Sequence, residues 1–259
     1  AANGSLKADT TWAADGQIVY VTATPDTGYV LSSLFVKTAK GDQLKVYEAK
    51  KAGVYYFYMP DQYVTVSAYF APAASALPFN DVAYTSWYYD AVKFVYDKGI
   101  MDGVSYYRFA PDATITRGMV VTILYRLAGQ PTSASTSAFS DVAVGQWYSD
   151  AVSWASANGI VSGYGDGTFG PHDTVTREQL AAILYRFAQT QSEDVTQTGA
   201  LSSFTDGGDT AQWAQSAMSW AVGNGLISGK GNGVLDPQGT ATRAEVAAIL
   251  ARFCQNTAN

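Results

Sequence analysis

The chain has one cysteine, Cys254, and one histidine, His172, in 259 residues. No disulfide framework, zinc site or Cys/His catalytic pair can be built from them within one chain. Such avoidance of cysteine suits a bacterial exported protein. No apolar run reaches the roughly 18 residues of a membrane span, so helical membrane insertion is not expected. Charged residues are sparse, 15% of the total, and sum to −6. That balance argues against nucleic acid as a general partner, because a phosphate backbone needs a basic surface. An anionic ligand has to be held by local arginines against an unfavourable overall field. There is no initiator Met and no signal peptide, so the chain reads as a mature product or an excised fragment. No cofactor is expected: the alternating glycines around Gly163 follow no strand and form no nucleotide fingerprint. The acidic spacing of an EF-hand loop is missing around Asp166-Gly167, so no metal is expected either.

What is present is 47% hydrophobic, enough for globular structure throughout most of the length. Residues 1–71 read as a small all-β domain, with strands expected at Ile18–Thr24, Tyr29–Lys37, Gln43–Glu48, Gly53–Met59 and Tyr63–Phe70. Turns punctuate them at Pro25-Asp26-Thr27-Gly28, Lys40-Gly41-Asp42, Lys51-Ala52-Gly53 and Met59-Pro60-Asp61. Its six lysines balance six acidic residues, so it carries no electrostatic bias. A Pro-punctuated linker of small residues follows at 72–78.

Beyond it the sequence repeats itself. Trp87, Asp90, Gly99, Phe109, Pro111, Thr116, Arg117 and Arg126 recur as Trp147, Asp150, Gly159, Phe169, Pro171, Thr176, Arg177 and Arg186. A third set is Trp213, Ser216, Gly225, Leu235, Pro237, Thr242, Arg243 and Arg252, and each unit starts at a Phe-x-Asp (Phe79, Phe139, Phe204). The units span 79–127, 139–187 and 204–253, with spacers rich in Ser, Thr, Gln and Ala. Two helices are legible in each. The first carries an i, i+4, i+7, i+8 apolar stripe such as Trp147, Ala151, Trp154 and Ala155 and stops at a C-cap glycine. The second starts at Thr-Arg: Thr176 is a good N-cap, Gln179 completes a capping box, and Leu180, Ile183, Leu184 and Phe187 line one face.

Arg177 is the odd residue in that helix, because a helix N-terminus favours anions and is a poor home for a cation. Arg117 and Arg243 repeat the oddity. Either something negative docks beside each guanidinium, aided by helix N–H groups, or each forms a structural ion pair.

Phe-x-Asp-Val, Trp-x-x-Asp-Ala, Gly-Ile-Val-Ser-Gly-Tyr-Gly-Asp-Gly-Thr-Phe-Gly-Pro and Thr-Arg-Glu-Gln-x-Ala-x-x-Leu-Tyr-Arg strongly resemble the S-layer homology (SLH) domain. The family's Thr-Arg-Ala-Glu hallmark is kept at Thr242–Glu245, nearly kept at Thr176–Gln179 and degraded at Thr116–Met119. Ala23-Thr24-Pro25-Asp26-x-Gly28-Tyr29, with Tyr56-x-Tyr58-Met59-Pro60 after it, resembles the divergent internalin-type B-repeats of Gram-positive surface proteins. Together these resemblances imply a multi-domain α+β protein: an all-β spacer followed by an all-α, pseudo-threefold trimer of helical repeats in one monomer. They further imply a secreted protein held non-covalently to the cell wall. The partner would be a secondary cell-wall polysaccharide, often a pyruvylated glycan bearing N-acetylmannosamine, lying in grooves between repeats.

The candidate glycan-binding residues are then Arg117, Arg177 and Arg243 for the carboxylate, and Asp90 and Asp150 for sugar hydroxyls. Trp154 and Trp220 offer faces for stacking, or pack in the core. Gly103, Gly163 and Gly229 let backbone approach a ligand, or serve turns alone. Lys230 adds a cation. Arg126, Arg186 and Arg252 read as structural, near helix C-termini where a cation is favoured. Trp87, Trp147 and Trp213 are assigned to the core, His172 is given no role, and Cys254 reads as a small hydrophobe. The chain is expected not to be an enzyme. An adhesin or protein-assembly module is the competing function. A glycan-cleaving enzyme would need two facing carboxylates roughly 5 to 9 Å apart, and no pair suggests itself.

Overall fold

The computed structural model describes residues 2–73, 77–132 and 137–257, so the middle of the expected linker and part of the first spacer lie outside the described residues. It divides into two compact units: Ala1–Tyr89 with Gly103–Phe109, and Asp90–Asp102 with Ala110–Asn259.

The first unit is built on six strands: β1 (Gly4–Ala8), β2 (Ile18–Pro25), β3 (Tyr29–Thr38), β4 (Tyr47–Glu48), β5 (Val54–Tyr58) and β6 (Val64–Pro72). One antiparallel sheet has the order β1-β2-β5-β4, and β3 pairs with β6 in a second. Strand β2 alternates as a half-buried strand should, with Val19, Val21 and Ala23 inside. Val36 of β3 and Phe57 of β5 close on Val19 and Val21, while Ala68 and Phe70 of β6 close on Ala23. Strand β1 was not foreseen: Gly-Ser-Leu-Lys-Ala has little β propensity and is held by pairing with β2 and by Leu6, which packs on both clusters. The strand expected over 43–48 shrinks to Tyr47–Glu48, with a lone bridge from Gln43 to Lys37 upstream. The opening of the first repeat belongs to this unit as well. Phe79 packs on Phe109 with ring centroids 5.5 Å apart, and Asp81 Oδ1 accepts from the Phe109 N–H at 2.8 Å.

The helices are α1 (Tyr89–Asp97), α2 (Arg117–Leu127), α3 (Ser149–Ala157), α4 (Arg177–Thr190), α5 (Gln215–Gly223) and α6 (Arg243–Asn256). Gly159 ends α3 at φ +68°, where an L side chain would be strained, and the next N–H, of Ile160, reaches back to Ala155 C=O at 2.8 Å. Thr116, Thr176 and Thr242 cap α2, α4 and α6 through their hydroxyls, and Gln179 and Glu245 complete capping boxes in the last two. Each cap stabilises its helix by about 1 kcal/mol. Between α2, α3, α4, α5 and α6 the core is aromatic: Trp154 meets Tyr125 and Phe187, and Trp220 meets Tyr185 and Phe253.

The repeats are not all-α, which corrects the expectation. Each Thr cap is extended, and the segment ahead of it pairs as β with its two counterparts: Thr116 with Thr174, Thr176 with Thr240, Thr114 with Thr242. Backbone hydrogen bonds close the circle. Val175 N–H donates to Ile115 C=O at 3.0 Å, Ala241 N–H to Val175 C=O at 3.0 Å, and Ile115 N–H to Ala241 C=O at 3.2 Å. All three residues are 0% exposed, so these bonds form away from competing water. An apolar residue followed by Thr-Arg reads as a helix approach by periodicity alone, because the β partner of each lies in another repeat.

Candidate functional site

The first N–H groups of α2, α4 and α6 have no intrahelical acceptor, and neighbouring backbone carbonyls and the Thr caps occupy three of them in each helix. Arg117, Arg177 and Arg243 donate their backbone N–H to the carbonyls of Asp173, Gly239 and Ala113, each at 2.9 Å. Gly118, Glu178 and Ala244 donate to Pro171, Pro237 and Pro111, and the Thr caps take the next amide. The expected assistance of helix amides to an anion is therefore withdrawn: the amides already have acceptors.

The arginine side chains are buried too, to 7%, 3% and 6% exposure. Arg117 Nε donates to Phe169 C=O at 2.8 Å and Nη2 to Ser162 C=O at 2.9 Å, with the guanidinium over the Tyr164 and Phe169 rings. Arg177 Nε donates to Leu235 C=O at 2.9 Å and Nη1 lies 3.6 Å from Glu245 Oε1. Arg243 Nη2 donates to Asp102 C=O at 2.7 Å. Burial pulls Arg117 and Arg177 below the ordinary guanidinium value, and nearby groups, Tyr164 and Asp173 for Arg117 and Glu245 for Arg177, pull the other way. Each guanidinium thus ties a loop to the helix of another repeat.

One cleft, of about 390 Å³, opens beside Arg117. Its walls are Val161, Ser162, Gly163 and Tyr164 from the loop after α3, Gln179, Ala182, Ile183 and Arg186 from α4, and Trp213. No carboxylate lines it. Tyr164 is fixed by its hydroxyl, which donates to Asp173 Oδ2 at 2.9 Å. Arg186, set aside as structural, makes no hydrogen bond or ion pair with the described residues. Its counterparts are engaged: Arg126 with Asp102 at 2.8 Å, and Arg252 with Leu226 C=O at 3.0 Å. Trp213 is 57% exposed, and Trp87 and Trp147 are 67% and 55% exposed, so the assignment of these three to the core is corrected. Each precedes its helix, where the helical stripe does not yet apply, and Tyr148 and Ala214 turn inward next to Trp147 and Trp213.

The other expected residues lie elsewhere. Asp90 and Asp150 are exposed in the first turns of α1 and α3. Trp154 and Trp220 are core residues, 7% and 3% exposed. Gly163 lines the cleft, yet a Cβ there would collide with the Phe139 ring, as at Gly103 with Phe79 and at Gly229 with Phe204. Lys230 Nζ pairs with Asp236 at 2.8 Å and lies 3.9 Å from Glu245, beside Arg177. The Phe-x-Asp motif was legible, but its chemistry was missed. Asp141 accepts from the Phe169 and Gly170 N–H groups at 2.8 and 2.7 Å, and Asp206 from those of Leu235 and Asp236, each at 2.7 Å.

The chain matches the S-layer homology domain over residues 78–118, 138–181 and 203–247, and the divergent InlB B-repeat domain over 1–74. It is 32% identical to the surface-layer 125 kDa protein of Lysinibacillus sphaericus over 74% of its own length and 16% of that protein. It is 30% identical to the amylopullulanase of Thermoanaerobacterium thermosulfurigenes over 70% of its length and 10% of the enzyme. It is 28% identical to the cellulosome-anchoring protein of Acetivibrio thermocellus over 56% of its length and 33% of that protein. The chain thus spans at most a third of these relatives. Three tandem repeats with their Thr-Arg helices, preceded by a B-repeat domain, place the chain in the S-layer homology family of secreted, cell-surface, cell-wall-anchoring proteins.

Proposed function

We propose that the chain anchors its parent protein by holding an acidic wall polysaccharide in the cleft along α4. Arg117 uses two of its five N–H donors on loop carbonyls, and the Arg186 guanidinium uses none on the described residues. A ligand carboxylate between them makes charge-assisted hydrogen bonds in a cleft without a competing carboxylate. The exposed Trp213 indole supplies a face for a sugar ring, and Gln179 an amide for its hydroxyls. The observation that carries this reading is Arg186, unpartnered where both of its counterparts are engaged. A pyruvylated N-acetylmannosamine has the required carboxylate. Arg177 and Arg243 hold the equivalent helix starts of the other two repeats, and weaker sites of the same kind belong beside them on this reading. Beside Arg177 the Glu245 carboxylate already stands 3.6 Å from the guanidinium, so an added anion binds there less tightly. Several weak grooves on one polymer gain avidity through effective concentration. The β unit is a spacer, and the chain does no catalysis: both matched families are non-catalytic modules.

Calorimetry with pyruvylated N-acetylmannosamine, and again with the pyruvate removed, tests this. Binding that needs the pyruvate and is lost in Arg186→Ala supports it. Equal heat from both sugars, or none from either, overturns it.

A further inference from the structure

In the β unit the run 43–48 reads as one strand, yet its main chain is paired only at its two ends. Upstream it joins β3, where Leu44 N–H donates to Val36 C=O at 2.8 Å. Downstream it joins β5, and the next residue's amide, Ala49 N–H, donates to Val54 C=O at 2.9 Å. Between those ends it crosses from one sheet to the other. A cavity of about 470 Å³ opens in the resulting fork between β3 and β4, with all of its lining inside the first unit.

Antiparallel ladders alternate, so these bonds fix which main-chain groups face the fork. Val36 turns its C=O away from β6, and Leu34, two residues earlier on the same strand, turns its N–H and C=O the same way. Ala49 faces β5, so Glu48 before it faces away from β5. Leu34 and Glu48 both line the cavity, and these main-chain groups have no partner among the described residues. Two sheet edges therefore stand open towards one another across a single gap. An extended peptide carries a donor and an acceptor on each of its two edges and satisfies both sides at once. The side chains narrow the choice. Leu31, Leu44, Val46 and Phe79 make the walls apolar, while Lys45 and Glu48 offset one another in charge. No net charge draws an ion into such a space.

We propose that the fork is a strand-addition site for an uncharged, extended peptide segment of a partner protein, with apolar residues at alternate positions. The segment inserts between β3 and β4, pairs with Leu34 on one edge and Glu48 on the other, and joins the two sheets into one. It runs antiparallel to β3, the longer edge and the more stable pairing. The β unit then captures a partner as well as spacing the repeats. The site is separate from the α4 cleft and does not depend on the anchor reading.

The probe is the pentapeptide Thr-Val-Thr-Val-Thr, acetylated and amidated, added to the whole chain and followed through its assigned backbone amides. Expected are saturable shifts along β3 and β4 and slower hydrogen exchange of the Leu34 and Glu48 amides. The same peptide N-methylated at both valines loses the donors of one edge and should bind roughly tenfold more weakly. Glu48→Pro deletes one amide that faces the fork, at an edge position where proline is tolerated, and should weaken binding roughly fivefold. Arg186→Ala should bind the peptide as the wild type does. Leu34 and Glu48 amides that exchange at the same rate with and without peptide overturn the proposal. Undiminished binding of the N-methylated peptide does so too, and it decides the matter alone should Glu48→Pro not fold.

Discussion

Arg177 Nη1 lies 3.6 Å from Glu245 Oε1, so the helix start of the second repeat faces the capping carboxylate of the third. At the position matching Glu245 the second repeat has Gln179, which caps its helix as well without a charge. Glu245→Gln should therefore keep the capping box but leave the buried Arg177 without its carboxylate, at a cost of roughly 1–3 kcal/mol. It removes the carboxylate from both Arg177 and Lys230. An acidic sugar should then bind with higher stoichiometry in calorimetry and recover part of the stability lost in urea unfolding.

Arg117 and Arg186 line one cleft but should answer differently to mutation. Arg117→Ala strands the buried carbonyl of Phe169 and frees that of the exposed Ser162, and an unpaired buried group costs roughly 1–3 kcal/mol. Its melting temperature should fall by several degrees. Arg186→Ala strands nothing, so its melting temperature should stay put while affinity for the acidic sugar drops roughly tenfold or more, the share of one charge-assisted bond.

Acid should loosen the repeats through their Phe-x-Asp carboxylates. The N–H groups of Leu235 and Asp236 hold the Asp206 carboxyl below its usual value. At Asp141 burial opposes ionisation, but the amides of Phe169 and Gly170 prevail and the shift is also downward. A lowered folded pKa means that the stabilisation is complete above the unfolded value, about 3.9, and is lost as pH falls below it. Melting temperatures across that range should decline steeply. In Asp206→Asn the acid decline should be shallower, from a lower melting temperature at neutral pH.

Val175→Pro removes the N–H that reaches Ile115 C=O in the ring. The stranded carbonyl is buried, so the loss should reach about 1–3 kcal/mol or more in urea unfolding. If the ring contributed nothing, this variant would unfold at the wild-type midpoint.

Much of the local structure was legible, because capping boxes, C-cap glycines and apolar stripes act within a few residues. Thr176 with Gln179 and Gly159 after α3 fall where the spacing says. What escaped depends on partners far along the chain. Ile115, Val175 and Ala241 look like helix approaches until their mutual hydrogen bonds are known. The exposed Trp213 lies ahead of the helix whose stripe it was counted in. Arg186 and Arg252 are alike in sequence and differ only in the carbonyl that Arg252 finds, so spacing cannot separate the cleft arginine from the structural one.

The circle through Ile115, Val175 and Ala241 is heterologous: each member receives from one neighbour and gives to the other, and it closes at three. Losing a repeat, by proteolysis or by gene truncation, does not leave two intact modules. It leaves an open pair with one hungry amide and one unfilled carbonyl. Such a remnant is complementary to other remnants, so shortened chains should associate with one another through exchanged strands.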